Sequence, residues 1–286
     1  MTLPHEKAGI NYSQVRTYWN NATPSILGPY MMDGFGFPAR AGNFRFNKEK
    51  DIVQQLIRDL NRSGTVLDLG CGIGYWSMYF AQSFRKVIAV DSSKPLFDSL
   101  KQNCSPYSNI KVVQADVMTF APEDRYNLIF LGGMLMYLNE SDLKALLKKA
   151  ISFLEPGGII LCRETTVRNG VITRQGEYQA VYRSVQTYEQ IFRETGLEIT
   201  ELCRNKPYIL MQMGCELIKK WKSIMPKTLQ FIPFAGHVVY WGLRIGNSWI
   251  RKALAKMTID FPELENHFFK LQTARNNQSD LNRKIA

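Results

Sequence analysis

Between residues 66 and 203 the chain alternates uninterrupted apolar runs with amphipathic stretches. VLDLG (66–70), KVIAVD (86–91), IKVVQAD (110–116), YNLIFLG (126–132), PGGIILCRET (156–165) and LEITELC (197–203) read as strands. Helices are expected after Gly74, over 94–102, over 141–154 with Ser141 or Asn139 as cap, and over 184–195, stopped by Gly196. A further helix is predicted over 47–61. Asn47 is its cap, and Ile52, Val53, Leu56, Ile57 and Leu60 keep helical spacing. Apolar strands without polar alternation need cover on both faces. The pattern therefore predicts an α/β fold, a Rossmann-like, mostly parallel sheet with helices on both faces. Ligands in such a sheet belong at the carboxyl ends of the strands.

The flanks read differently. Residues 1–46 are rich in aromatic, Gly and Pro residues and predict a helical N-terminal cap. After Pro207 the strand–helix alternation dissolves. Residues 209–225 are helix-like, 228–243 are apolar and uncharged but contain Pro233, Gly236 and His237, and the stretch after Phe269 reads as frayed. The expected organisation is an N-terminal acceptor segment (1–46), a core domain (47–206) and a C-terminal helical extension (207–286).

Composition narrows the class. Hydrophobic residues are 45% of 286 and charged residues 21%, which excludes a disordered or disulfide-framework chain. Five cysteines in irregular spacing form no CxxC, so no metal site or dithiol is expected. The first residues lack a signal-peptide apolar stretch, which predicts a cytoplasmic setting. The formal net charge is +11, and residues 205–286 hold 13 Lys/Arg against 5 Asp/Glu, or +8. Residues 207–259 interleave this charge with Trp221, Phe231, Phe234, Tyr240, Trp241 and Trp249. Three explanations stand open: a packed cap over the active site, peripheral contact with an anionic membrane at its inner face, or a nucleic-acid surface. No RNA-binding motif accompanies the charge, which counts against the third. The oligomeric state stays open.

The chemistry concentrates in VLDLGCGIGYWS (66–77). A glycine-rich turn between strand and helix brings backbone N–H groups close to a ligand. The dinucleotide motif needs glycine where Tyr75 stands. Asp68, just before the turn, would repel a pyrophosphate and suits the amino group of a methionine moiety.

On these residues the chain resembles a class I S-adenosylmethionine-dependent methyltransferase. The resemblance implies that Asp68, Gly70, Cys71, Gly72 and Gly74 hold the methionine end of the cofactor. It implies that Asp91 and Ser92 meet the ribose, Asp116 and the Val117 N–H the adenine, and Leu131, Gly132 and Met134 the sulfonium. LEPGGIIL (154–161) matches the entry to the fifth strand. The chain lacks the (Asp/Asn/Ser)-Pro-Pro-(Tyr/Phe) loop of amino-methylating nucleic-acid enzymes and any Pro-Cys nucleophile. Gly132 and Gly133 cannot ligate a catechol-bound metal. The expected acceptor is an oxygen or nitrogen of a small molecule, such as a natural product, sugar or lipid-linked compound.

A local similarity to the protein alpha-N-terminal methyltransferases adds a peptide-amine alternative. It is carried by Tyr18, Trp19, Pro24 and residues 34–37, and by Arg163-Glu164-Thr165 with Glu177. Thr165 stands where that family places Asn, and Arg174 where an acid is expected. A non-catalytic cofactor-binding or membrane-docking protein is the remaining alternative. Tyr18, Trp19, Met134 and Thr165 are expected in the acceptor pocket, and Glu164, Glu177 and Tyr178 are the candidate bases. His5, His237 and His267 lie away from the predicted strand ends.

Overall fold

The computed structural model describes residues 9–22, 40–122, 124–226, 235–256 and 261–274. His5, Pro24, residues 34–37, Lys227, Phe231, Pro233, Phe234 and residues 275–286 lie outside them. In chain order the elements are α1 (Tyr12–Asn20), α2 (Arg40–Leu56), β1 (Thr65–Leu69), α3 (Tyr75–Ala81), β2 (Lys86–Asp91), α4 (Lys94–Cys104), β3 (Ile110–Gln114) and β4 (Tyr126–Leu131). A single 3-10 turn (Leu135–Tyr137) follows. Then come α5 (Glu140–Ser152), β5 (Leu154–Val167), β6 (Val171–Arg174), β7 (Ala180–Ser184), α6 (Val185–Glu194), β8 (Leu197–Arg204), α7 (Lys206–Ile224), α8 (Ala235–Lys256) and β9 (Glu265–Thr273).

The chain divides into two compact units. One comprises Met1–Pro24, Arg58–Cys203 and His267–Ala286; the other comprises Ser25–Ile57 and Arg204–Asn266. The first contains the sheet, in the order β3-β2-β1-β4-β5-β7-β6, with β9 pairing β5 and β8. The pairs from β3 to β7 are parallel, and β6 runs antiparallel to β7. Val66 of β1 lies between Val87 of β2 and Leu128 of β4, so the strand order reverses at β1 and β4. Such a reversal opens a crevice at the carboxyl ends of these two strands.

Both faces are covered, as continuous apolar strands require. On one, Leu143, Leu146 and Leu147 of α5 and Tyr188 and Phe192 of α6 pack with Leu67, Ile129, Ile160 and Phe269. On the other, Phe130 meets Trp76 and Phe80 of α3 at ring separations of 5.1 and 5.2 Å.

Three expectations are corrected. No strand was expected between residues 166 and 183, yet β6 and β7 lie there; Arg183 is buried inside β7 and breaks its apolar signal. The chain does not fray at Phe269: β9 runs to Thr273, with Phe268, Phe269 and Leu271 fully buried. The helix expected from Asn47 begins at Arg40, because its inward face carries a polar pair, Arg45 and Glu49.

That pair anchors the second unit. Glu49 Oε1 accepts from Arg45 Nε at 2.9 Å and from Asn205 Nδ2 at 2.6 Å, and Asn205 Nδ2 also reaches Asn266 Oδ1 at 2.8 Å. Ile209, Leu210 and Met213 of α7 and Leu243 of α8 form the adjoining apolar cluster. Among the described residues no helix is long and apolar enough to cross a membrane.

Candidate active site

The glycine turn lies at the carboxyl end of β1, at the point where the strand order reverses. Gly70 and Cys71 both donate to the Val90 carbonyl, at 2.9 and 3.1 Å, which ties the turn to β2. Gly70 and Gly72 have φ of +67° and +58°. A Cβ at Gly70 would lie 2.7 Å from Met134 Cγ, whereas one at Gly72 would meet no atom within 4 Å. The turn therefore passes under Met134 and then runs open-faced. α3 starts behind Gly74, whose missing side chain caps none of the first N–H groups.

Two carboxyls adjoin the turn, and a third, Asp116, follows the end of β3. Asp91, at the end of β2, accepts the Gly72 N–H through Oδ2 at 2.8 Å and the Ser93 N–H through Oδ1 at 2.9 Å. Each oxygen keeps a further lone pair, which suits a vicinal diol. Burial pushes Asp91 up to about 6, against the pull of the Ser93 and Gly72 N–H groups. Asp68 is buried in β1 and accepts from Ser77 Oγ at 2.6 Å. Burial raises it to about 7, opposed by that hydrogen bond. Asp116 uses Oδ1 to cap its own turn, accepting from Met118 N at 2.9 Å. Cys71 is a thiol pushed well above its ordinary value by burial and by Asp68 and Asp91. Ser92 is exposed. Leu131 is wholly buried in the core, so its side chain packs the sheet rather than facing a ligand. Gly132, which follows, lies over the Phe130 ring. Open backbone, a carboxylate whose oxygens keep lone pairs and a buried acid fit the diol and ammonium that S-adenosylmethionine carries.

Beside this crevice the structure gathers aromatic rings. Tyr18 and Trp19, at the end of α1, are 5.4 Å apart edge to face. Tyr18 meets Tyr178 at 5.1 Å, Trp19 meets Tyr137 at 5.5 Å, and Tyr137 meets Tyr178 at 6.0 Å, all edge-on. The Tyr137 and Tyr178 hydroxyls share a 2.9 Å hydrogen bond, and Tyr182 reaches Tyr178 at 3.5 Å. Ser93 Oγ donates to the Trp19 carbonyl at 3.0 Å, which fastens this cluster to the loop that holds Asp91. Tyr137, Tyr182 and Ser93 had not been singled out. Only the tertiary fold unites them with Tyr18 and Tyr178.

The three candidate bases separate. Glu164 is fully buried in β5, where Oε1 accepts the Met134 and Leu135 N–H groups at 3.1 and 3.0 Å. Burial lifts it to about 8 against those bonds. It holds the turn after β4 and is enclosed by the core. Glu177 is exposed on the turn before Tyr178. Tyr178 points into the cluster, but burial pushes its phenol well above 10, so it stays neutral at neutral pH and serves as a hydrogen-bonding group. Thr165 is buried within β5. His267 sits on β9, bonded to Thr166 Oγ1 at 2.9 Å, and His237 is exposed on α8. Among the described residues no group of His, Cys, Asp or Glu side chains is arranged to hold a metal ion. A shallow polar cavity lined by Gly64, Arg85, Asp124 and Glu155 opens at the amino ends of β1 and β2, the opposite edge from this chemistry.

A doubly wound sheet with its turn at the reversal point defines an α/β cofactor-binding protein. The family model described as a methyltransferase domain matches residues 66–158. Phosphoethanolamine N-methyltransferase 3 of Arabidopsis thaliana is 30% identical over 158 residues, 54% of this chain and 31% of that protein. N-terminal Xaa-Pro-Lys N-methyltransferase 1 of Rattus norvegicus is 27% identical over 197 residues, 66% of this chain and 85% of that protein. A SAM-dependent methyltransferase of Leishmania major shares the fold, with a TM-score of 0.61, 15% identity and coverage of 91% of this chain and 82% of that one. The family model, these relatives and the fold together support a class I S-adenosylmethionine-dependent methyltransferase.

Proposed function

We propose that the chain methylates an amine nitrogen of a small molecule, held among Tyr18, Trp19, Tyr137 and Tyr178. The ring cluster beside the glycine turn carries this reading. S-adenosylmethionine supplies an electrophilic methyl group on a sulfonium. Gly70, Gly72, Asp68 and Asp91 would hold it, with Met134 above the turn. Positive charge passes to the acceptor nitrogen during transfer. Aromatic faces stabilise such charge without being consumed, by about 0.5–2 kcal/mol each. The Tyr137–Tyr178 hydroxyl pair, neutral at pH 7, accepts an N–H bond and aims the nitrogen lone pair. Alignment and exclusion of water then supply most of the rate, up to about 7–11 kcal/mol. An oxygen acceptor needs a base to take its proton, and the ring cluster presents phenols instead.

The rat relative favours a second reading, a peptide α-amine. The deciding experiment supplies S-adenosylmethionine with small primary and secondary amines, alcohols, and peptides, and follows S-adenosylhomocysteine release. Turnover with small amines is expected. Turnover with peptides alone transfers the site to the second reading, and cofactor binding without turnover on any acceptor makes the protein a binder.

A further inference from the structure

Helix α8 is apolar on two opposite sides. Tyr240 and Leu243 face inward and are 4% and 3% exposed. Val238, Trp241, Ile245 and Trp249 recur at spacings of three and four, which aligns them on one stripe. They are 70%, 51%, 87% and 81% exposed. A helix of a water-soluble unit normally shows water a polar face, and a contiguous exposed stripe of this kind marks a contact surface.

The surroundings are basic. α8 has no acidic residue over its 22 positions. The Arg244 guanidinium lies 5.2 Å over the Trp241 ring, on the margin of the stripe. Lys219, Lys220 and Lys222 are exposed at the end of α7. The acid of α7, Glu216, is occupied by the Glu263 N–H at 3.0 Å and by Gln212. Two copies meeting through this face would bring like charges together, which opposes self-association. An anionic lipid surface complements both features. Tryptophan and branched aliphatic side chains enter the acyl boundary, while Lys and Arg meet the head groups.

We propose that α8 lies in the plane of an anionic membrane, with Val238, Trp241, Ile245 and Trp249 buried among the lipids. Binding is peripheral, and it presents the protein to amphiphilic molecules in the same surface.

Flotation of the full chain with phosphatidylcholine vesicles, with and without phosphatidylglycerol, tests this. Co-flotation with the anionic vesicles only is expected, reversed by high salt through screening. The double variant Trp241→Ala/Trp249→Ala should partition about tenfold less, and Lys219→Glu/Lys220→Glu about tenfold less. Both should keep the wild-type melting temperature, because the substituted side chains are exposed. No flotation of the folded full chain overturns the proposal, as does equal flotation of the tryptophan variant or equal binding to neutral vesicles. A solution dimer dissociated by Ile245→Glu would assign the face to a second copy.

Discussion

Glu164 and Arg183 grip one turn from two adjacent strands. Glu164 takes the N–H groups of Met134 and Leu135; Arg183 donates to the carbonyls of Leu135 at 3.2 Å and Leu138 at 2.7 Å. The turn between them carries Tyr137 into the ring cluster. Glu164 is thus a positioning residue. Glu164→Gln, which keeps the accepting oxygen, should change turnover by less than about threefold. Glu164→Ala takes the acceptor from the buried Met134 and Leu135 N–H groups and should cost about 1–3 kcal/mol of stability and at least about tenfold in turnover. A tenfold loss in the Gln variant at unchanged melting temperature would return Glu164 to the chemistry.

Three buried acids set a pH dependence. Asp91, Asp68 and Glu164 are raised to about 6, 7 and 8 by burial. A raised acid means the folded chain holds protons that the unfolded chain has released. Stability is therefore greatest near the unfolded values of about 4 and falls as pH rises through the folded values. The cofactor-free protein should melt at a lower temperature at pH 8 than at pH 5. Glu164→Gln should flatten the curve by an amount on the order of a few kcal/mol. A melting temperature that climbs over this range contradicts the assignment.

Cofactor affinity should move the opposite way. Asp91 accepts two hydroxyls only as a carboxylate, so acidification through about pH 6 weakens binding. Asp91→Ala should weaken it at least tenfold, about 1.4 kcal/mol, at pH 7.5. Calorimetry across pH 5–8 reads both effects. Unchanged affinity in the variant takes Asp91 out of the site.

How much of this was legible depends on burial chemistry. Strands such as VLDLG and YNLIFL are buried on both faces and show as unbroken apolar runs. β7 hid because it is only five residues long and its fourth, Arg183, is a buried charge spent on turn carbonyls. Glu164 looked like a base for the same reason: sequence registers an acid near a strand end but not which way the pleat turns it. Asp91 and the glycines were readable because the turn demands them locally. Tyr137 was hidden in the apolar string LGGMLMYL, and its partners Tyr18 and Tyr178 are distant in sequence. Only the fold makes them a cluster.

The second unit offers a stability prediction. Glu49 is fully buried and binds Arg45 and Asn205 together. Removing one member of a buried ion pair costs about 3–5 kcal/mol, because the other charge loses its main compensation. Glu49→Ala should lower the melting transition accordingly, while Arg45→Met/Glu49→Leu should recover much of the loss. Equal melting of Glu49→Ala and wild type in calorimetry would show that the network is dispensable.

The acceptor site is tested by two neighbouring residues with opposite expectations. Tyr178 turns into the ring cluster and shares its hydroxyl with Tyr137; Glu177 is exposed. If the phenol pair aims an amine, Tyr178→Phe keeps the ring faces but loses the hydrogen bond. Turnover should then fall about tenfold or more, with cofactor affinity unchanged. Trp19→Ala removes a ring face and should lower kcat more than it raises KM, since the neutral amine gains its positive charge only in the transition state. Glu177→Gln should leave both constants within about twofold, as exposed substitutions away from a site generally do. Steady-state kinetics on the three variants with one amine acceptor decides. A large loss in Glu177→Gln beside an intact Tyr178→Phe would mean that the loop closes on the acceptor and that its carboxylate takes the proton.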